Sequence, residues 1–165
     1  LQYIVSQKLA NKYRPGDVRR DENMVQFFPR TVVPGIQDWY PRKYRGNAST
    51  TNFGVTQTTD NVRIFRAADL LLLKAEALAK LARPAEAVTI VNIVRRRAYE
   101  TAYNPANHGV RGTPTGEALV DTVLDERFRE LMYEGKRWFD LVRTKRALTE
   151  LRDPLPQAPN PPRRI

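Results

Sequence analysis

At 165 residues the chain is long enough for one domain that buries roughly 70% of its unfolded surface, and its 41% hydrophobic and 28% charged residues exclude wholesale disorder. With no cysteine and a single histidine, His108, it offers no disulfide framework or thiolate nucleophile, and a zinc site or Ser/His/Asp triad would lack its ligands or base. The net charge of +10 divides into +4 over residues 1–60, +4 over 61–100 and +2 over 101–165, so it is spread along the chain and not gathered into one nucleic-acid patch.

The first segment, residues 1–61, is broken by Pro15-Gly16, Pro29, Pro34-Gly35, Pro41 and Gly46-Asn47, which leaves no room for a long helix. It opens in mid-pattern with Leu1-Gln2-Tyr3-Ile4-Val5 and no Met, so the chain is expected to be a piece of a longer protein, with any targeting signal or lipid anchor upstream. Eight of the fifteen aromatics lie here, among them Trp39, Tyr40 and Tyr44, with Asp38, Arg42, Lys43 and Asn47 nearby. Such a segment is expected to pack down on the remainder. Ring faces beside polar side chains also suit stacking on the C–H faces of sugars, which makes Trp39, Tyr40 and Tyr44 the candidate ligand-binding residues.

A helical period begins near Val62, where Ile64, Ala67, Ala68, Leu71, Ala75 and Leu78 recur every three or four residues as far as Leu81. Its longest apolar run, Leu70 to Leu73, is far too short to cross a bilayer. Pro84 suits the first turn of a second helix with an apolar stripe of Ala87, Val91, Val94 and Ala98. The connection Ala82-Arg83 between them forces an antiparallel pair, with the Leu71 and Val91 faces packed together. Arg95-Arg96-Arg97 ends the second helix, where cations complement the macrodipole as well as they would a phosphate.

After a loop over residues 101–112, Thr113-Pro114 starts a third helix in which Leu124, Phe128, Leu131, Gly135, Trp138 and Val142 share one face. Gly135 either lets another backbone approach that face or marks a break between two shorter helices. Glu126, Glu130 and Glu134 stand four apart, and paired carboxylates are what a glycosidase needs, but Arg129, Arg127 and Arg137 lie within helical reach of them in turn, and Arg143 of Asp140. Guanidinium neighbours lower carboxyl pKa values and leave no protonated acid, so no catalytic residue, metal or cofactor is expected. Asp69 and Glu76 are expected to pair with arginines of the neighbouring helices. Trp138, Phe139, Gly135, Glu130, Arg127 and Arg137 are expected to form the structural core, with Trp138 and Phe139 buried. Residues 62–152 thus form a helical core, and 153–165 a proline-rich tail.

The fold class expected is mainly α, with tetratricopeptide-like antiparallel helix pairs beside a loop-rich N-terminal third. The segments RAADLLLLKAEAL from Arg66 and VNIVRRRA from Val91 resemble the helix pair of the SusD/RagB family. The block ERFRELMYEGKRWFDLVR, Glu126 to Arg143, is similar almost position by position to that family's signature. Asp17-Val18-Arg19-Arg20 and Trp39-Tyr40-Pro41-Arg42-Lys43-Tyr44 also resemble the family's segment before the helix pair. The resemblance implies the C-terminal portion of a lipoprotein on the external face of the outer membrane. Such a protein captures glycans or other nutrients, without catalysis, for a SusC-type TonB-dependent transporter. The alternatives are a helical-repeat module for protein–protein interaction and, less well supported, a basic nucleic-acid-binding domain.

Overall fold

The computed structural model describes Val5 and residues 7–26, 39–43 and 64–151. The proline-rich tail 153–165 and Tyr44 lie outside the described residues. Two short helices, α1 (Gln7–Ala10) and α2 (Val18–Asn23), precede a two-stranded antiparallel ribbon in which β1 (Met24–Gln26) pairs with β2 (Trp39–Pro41), Met24 facing Pro41. Asp17 caps α2 by accepting from the Arg19 N–H. Among the described residues of this third, what forms beside Pro15-Gly16 and Pro41 is one- or two-turn helix and a three-residue ladder, while Pro29, Pro34-Gly35 and Gly46-Asn47 lie outside the described residues.

The helical part is built from α3 (Ala67–Lys80), α4 (Pro84–Tyr99), a short α5 (Pro105–His108), α6 (Gly116–Glu130), α7 (Lys136–Arg143) and α8 (Ala147–Leu151). Pro84 sits in the first turn of α4. The turn before it closes when the Arg83 N–H donates to Leu78 O (2.9 Å) across Ala82, which adopts φ 55°. That six-to-one bond at a left-handed residue is the Schellman stop, made here without a glycine. It folds α4 straight back against α3. The mainly helical, tetratricopeptide-like class expected from the sequence is the one observed.

One apolar cluster joins three helices: Leu72, Ala75, Leu78 and Ala79 of α3, Ala87, Ile90, Val91 and Val94 of α4, and Leu119, Val120, Val123 and Leu124 of α6. Leu71 and Val88 pack at its edge. The stripe expected on α4 is buried as predicted, and the three helices form one packed unit. On α3 the phase differs, because Leu72 is fully buried while Ile64 and Ala67 are exposed. Four consecutive leucines leave the phase open to either side. The inward turn of Asp69 and Glu76 toward arginines decides it.

The third helix breaks. Leu131 ends α6, Tyr133 and Gly135 take φ 60° and 71°, and α7 starts afresh from Gly135. A Cβ at Gly135 would meet nothing within 4 Å, so close backbone approach is not what glycine provides here. It provides the left-handed corner. The corner resets the helical phase, and the face counted from Leu124 through Trp138 to Val142 does not exist as one surface. Leu124 and Leu131 are buried, whereas Trp138, Phe139 and Val142 are 56%, 67% and 49% exposed. The expectation that Trp138 and Phe139 form the core is therefore corrected: α7 turns Asp140 and Leu141 inward instead.

Candidate functional site

Helix α6 has two halves, the first apolar and packed in the core, the second carrying Glu126, Arg127 and Glu130, each buried to within 3% of full exclusion. A buried carboxylate is costly unless its charge is met on several sides, and here it is. Glu126 accepts from Arg19 (2.7 Å), Arg95 (2.8 Å) and Arg129 (2.6 Å). Glu130 pairs with Arg19 (2.9 Å), Arg66 and Arg97. Glu134 pairs with Arg66 (2.9 Å) and Lys43. Arg19 is itself clamped by Asp17, with Nε and Nη2 donating at 2.8 and 2.7 Å. One row of carboxylates thus fastens α2, the segment after β2, the start of α3 and the end of α4.

A second seam runs between α3 and α7. Arg127, 3% exposed, lies 2.8 Å from Asp69 and donates to Asp140 at 2.8 Å. Lys136 meets Asp69 at 3.1 Å, and Arg143 donates to Glu76 at 2.6 Å and to Asp140 at 2.7 Å. The predicted local pairs Glu126–Arg129 and Asp140–Arg143 are present, as are the cross-helix pairs of Asp69 and Glu76. Two expected pairs are replaced: Glu130 takes Arg19, Arg66 and Arg97 in place of Arg127, and Glu134 takes Arg66 and Lys43 in place of Arg137. Arg137 lies over the Phe128 ring at 4.4 Å and reaches Glu150 at 3.3 Å. Neither Arg19, Arg66 nor Lys43 is near α6 in sequence, and periodicity carries no signal for such partners.

The electrostatics decide what these carboxylates can do. Burial pushes the Glu126 carboxyl up, but Arg129, Arg19 and Arg95 together hold it well below the usual range. Burial likewise opposes Arg19, Arg66 and Arg97 at Glu130, and the guanidinium groups again prevail. Asp69 and Glu76 are lowered in the same way, against burial, by Lys136 and Arg127 and by Arg143 and Lys80. A general acid must hold a proton near neutral pH, and these groups do not.

Carboxyls whose pKa is depressed on folding stabilise the fold fully above their unfolded values, 4.5 for Glu and 3.8 for Asp, and that stability is lost as pH falls through the folded values. The expected result is a melting temperature that is steady from pH 7 to about 5 and drops progressively below about pH 4.5. Thermal melts monitored by circular dichroism across that range check it. A transition unchanged down to pH 2.5 would show that the lattice contributes nothing.

The other candidates fall as follows. Trp39 is partly buried and packs on a second apolar cluster of Val5, Leu9, Ala10, Tyr13, Met24 and Met132, while its carbonyl accepts from the Val5 N–H at 2.7 Å. Packing is thus at least one of its roles. Tyr40 lies opposite Val25 in the ribbon. His108 stacks on Tyr99 with ring centroids 4.0 Å apart, and its Nδ1 accepts from the Asn104 N–H at 2.9 Å. Of the arginine run, Arg95 and Arg97 are committed to Glu126 and Glu130, and Arg96 lies over Tyr103 at 5.6 Å. Arg95 is buried inside the fold, and Arg97 reaches Glu130 from a side chain that is 62% exposed.

Comparison with known proteins gives a single answer. A family model described as the SusD family matches residues 37–157. A SusD-like protein of Formosa agariphila is 34% identical over 134 residues, which are 81% of this chain and 26% of that protein. The chain spans about a quarter of the length of that relative. A solved SusD superfamily protein from Bacteroides vulgatus superposes with a TM-score of 0.67 at 23% identity, over 88% of this chain and 34% of the other. A surface glycan-binding protein from Bacteroides uniformis superposes at 0.61 with 28% identity, over 84% of this chain and 29% of that one.

Proposed function

Because the chain belongs to the SusD family, we propose that it serves in non-catalytic capture of glycans or other nutrients at the external face of the outer membrane, for delivery to a SusC-type TonB-dependent transporter. The observation that carries this reading is the likeness to the Bacteroides uniformis surface glycan-binding protein, over most of this chain. The site chemistry supports the non-catalytic part. Glu126 and Glu130, the carboxylates a glycosidase would use, are each held by three guanidinium groups. Sugar contact is assigned to Trp39, Tyr40 and Tyr44, with Trp39 dividing its ring between ligand and packing.

The complete gene product, titrated calorimetrically against an oligosaccharide panel, is expected to bind at least one glycan and to release no new reducing ends from it. Tyr44→Ala is expected to weaken that binding about tenfold, the equivalent of about 1.4 kcal/mol for one lost aromatic contact. Turnover that disappears in Glu130→Gln would overturn the non-catalytic reading. Binding to duplex DNA with a steep salt dependence, and to no glycan, would put the nucleic-acid alternative in its place.

A further inference from the structure

Beside the carboxylate row, stretches far apart in sequence meet around a narrow cleft. The turn after α1 brings Lys12 and Arg14, the last turns of α4 bring Arg95 and Tyr99, and α6 brings Glu126 and Arg129. Arg95 and Tyr99 stand four apart, and Glu126 and Arg129 three apart, so each pair shares one face of its helix. Arg19 and His108 complete the lining. Five cations thus face one carboxylate, and Glu126 is already met by three of them.

The cleft is a surface of donors. A guanidinium carries five N–H groups and accepts nothing. Among the described residues Arg14 commits one side-chain nitrogen, to Asn107 O at 3.3 Å, and forms no ion pair, while Arg129 commits one, to Glu126. His108 Nδ1 accepts from the Asn104 N–H, which leaves the proton of the neutral ring on Nε2. Tyr99 is 4% exposed, yet among the described residues its hydroxyl makes no hydrogen bond. Burial raises that hydroxyl above its ordinary pKa and Asp17 adds to the effect, against Arg14, Arg129 and Arg19, so it keeps its proton and can donate. A buried donor without an acceptor costs free energy, and a donor ringed by cations is best met by negative charge.

We infer that this cleft binds a small oxyanion group, a sulfate or a carboxylate, through one terminal oxygen. Size sets the last part: the enclosed space takes one water-sized group and not a sugar ring. The group arrives either as a free ion or as the charged substituent of an acidic saccharide whose rings stay outside. Neither source involves Trp39, Tyr40 or Tyr44, so the inference stands or falls separately from their assignment to sugar contact.

Equilibrium dialysis of the complete gene product against radiolabelled sulfate, at ionic strength held with sodium chloride, tests it. A single saturable site is expected, weakened at least about tenfold in Arg14→Gln and in Tyr99→Phe, as for loss of a hydrogen bond to a charged group. Arg14 is exposed and phenylalanine keeps the shape of the Tyr99 ring, so both variants are expected to melt as the parent does. Stronger competition by glucuronate or a sulfated monosaccharide than by inorganic sulfate makes an acidic saccharide the source, and the reverse order makes it the free ion. No saturable binding, or binding that either variant keeps unchanged, would overturn the inference, because sulfate would then be held only loosely by the chain's net charge of +10. So would displacement by neutral glucose, or by chloride at the same ionic strength, as effective as displacement by sulfate.

Discussion

Glu126→Gln is expected to destabilise the chain by about 3 to 5 kcal/mol, the cost of removing one member of a buried ionic cluster, against a usual domain stability of about 5 to 15 kcal/mol. The side chain keeps its shape, so what is lost is charge. Arg19 and Arg95 are 8% exposed at the side chain and Arg129 12%, and the substitution leaves all three crowded around a neutral amide. Arg19 keeps Asp17 and Glu130, whereas Glu126 is the carboxylate with which Arg95 and Arg129 pair. Urea denaturation of the two proteins at pH 7 measures the difference. A loss below about 1 kcal/mol would mean that water reaches the cluster and screens it as it does a surface pair.

Leu72→Ala is expected to cost about 2 to 5 kcal/mol, because Leu72 is fully buried where α3, α4 and α6 meet and removing its isopropyl group takes away buried apolar surface and leaves a cavity. Trp138→Ala in the same 165-residue chain is expected to change stability by only about 0.5 kcal/mol, the range of exposed substitutions. The contrast inverts the usual ranking of leucine and tryptophan truncations. Denaturant midpoints for both variants check it. A Trp138→Ala protein as unstable as Leu72→Ala would return the indole to the core.

The two tryptophans show where sequence reasoning succeeds and where it stops. The pair α3 and α4 is legible because everything that makes it is local: an apolar period, Pro84 in a first turn, and a connection too short for any other arrangement. The family block from Glu126 to Arg143 is legible as a pattern of letters. Its geometry is not, because helical spacing counted through Gly135 assumes a continuous helix, and two residues at positive φ invalidate the count beyond them. Glu130 fails differently. Arg127 is within reach on the same helix, but Asp69 and Asp140 claim it, and the partners that Glu130 finds lie 111, 64 and 33 residues away. Trp138 and Phe139 add a third case, since an apolar residue in a helical block does not by itself say which side of the helix meets the core.

Arg19 holds three carboxylates, Asp17, Glu126 and Glu130, while Glu126 holds three guanidinium groups, Arg19, Arg95 and Arg129. Exchanging the charges of Arg19 and Glu126 would restore their own contact. It would also set the new cation at 126 against Arg95 and Arg129, and the new anion at 19 against Asp17 and Glu130. No two-residue change repairs a single-residue change in such a network, and effects within it do not add. Sequence drift can therefore pass freely over exposed positions such as Arg96 or Lys74, while the lattice that crosses α2, α3, α4 and α6 can be altered only as a block.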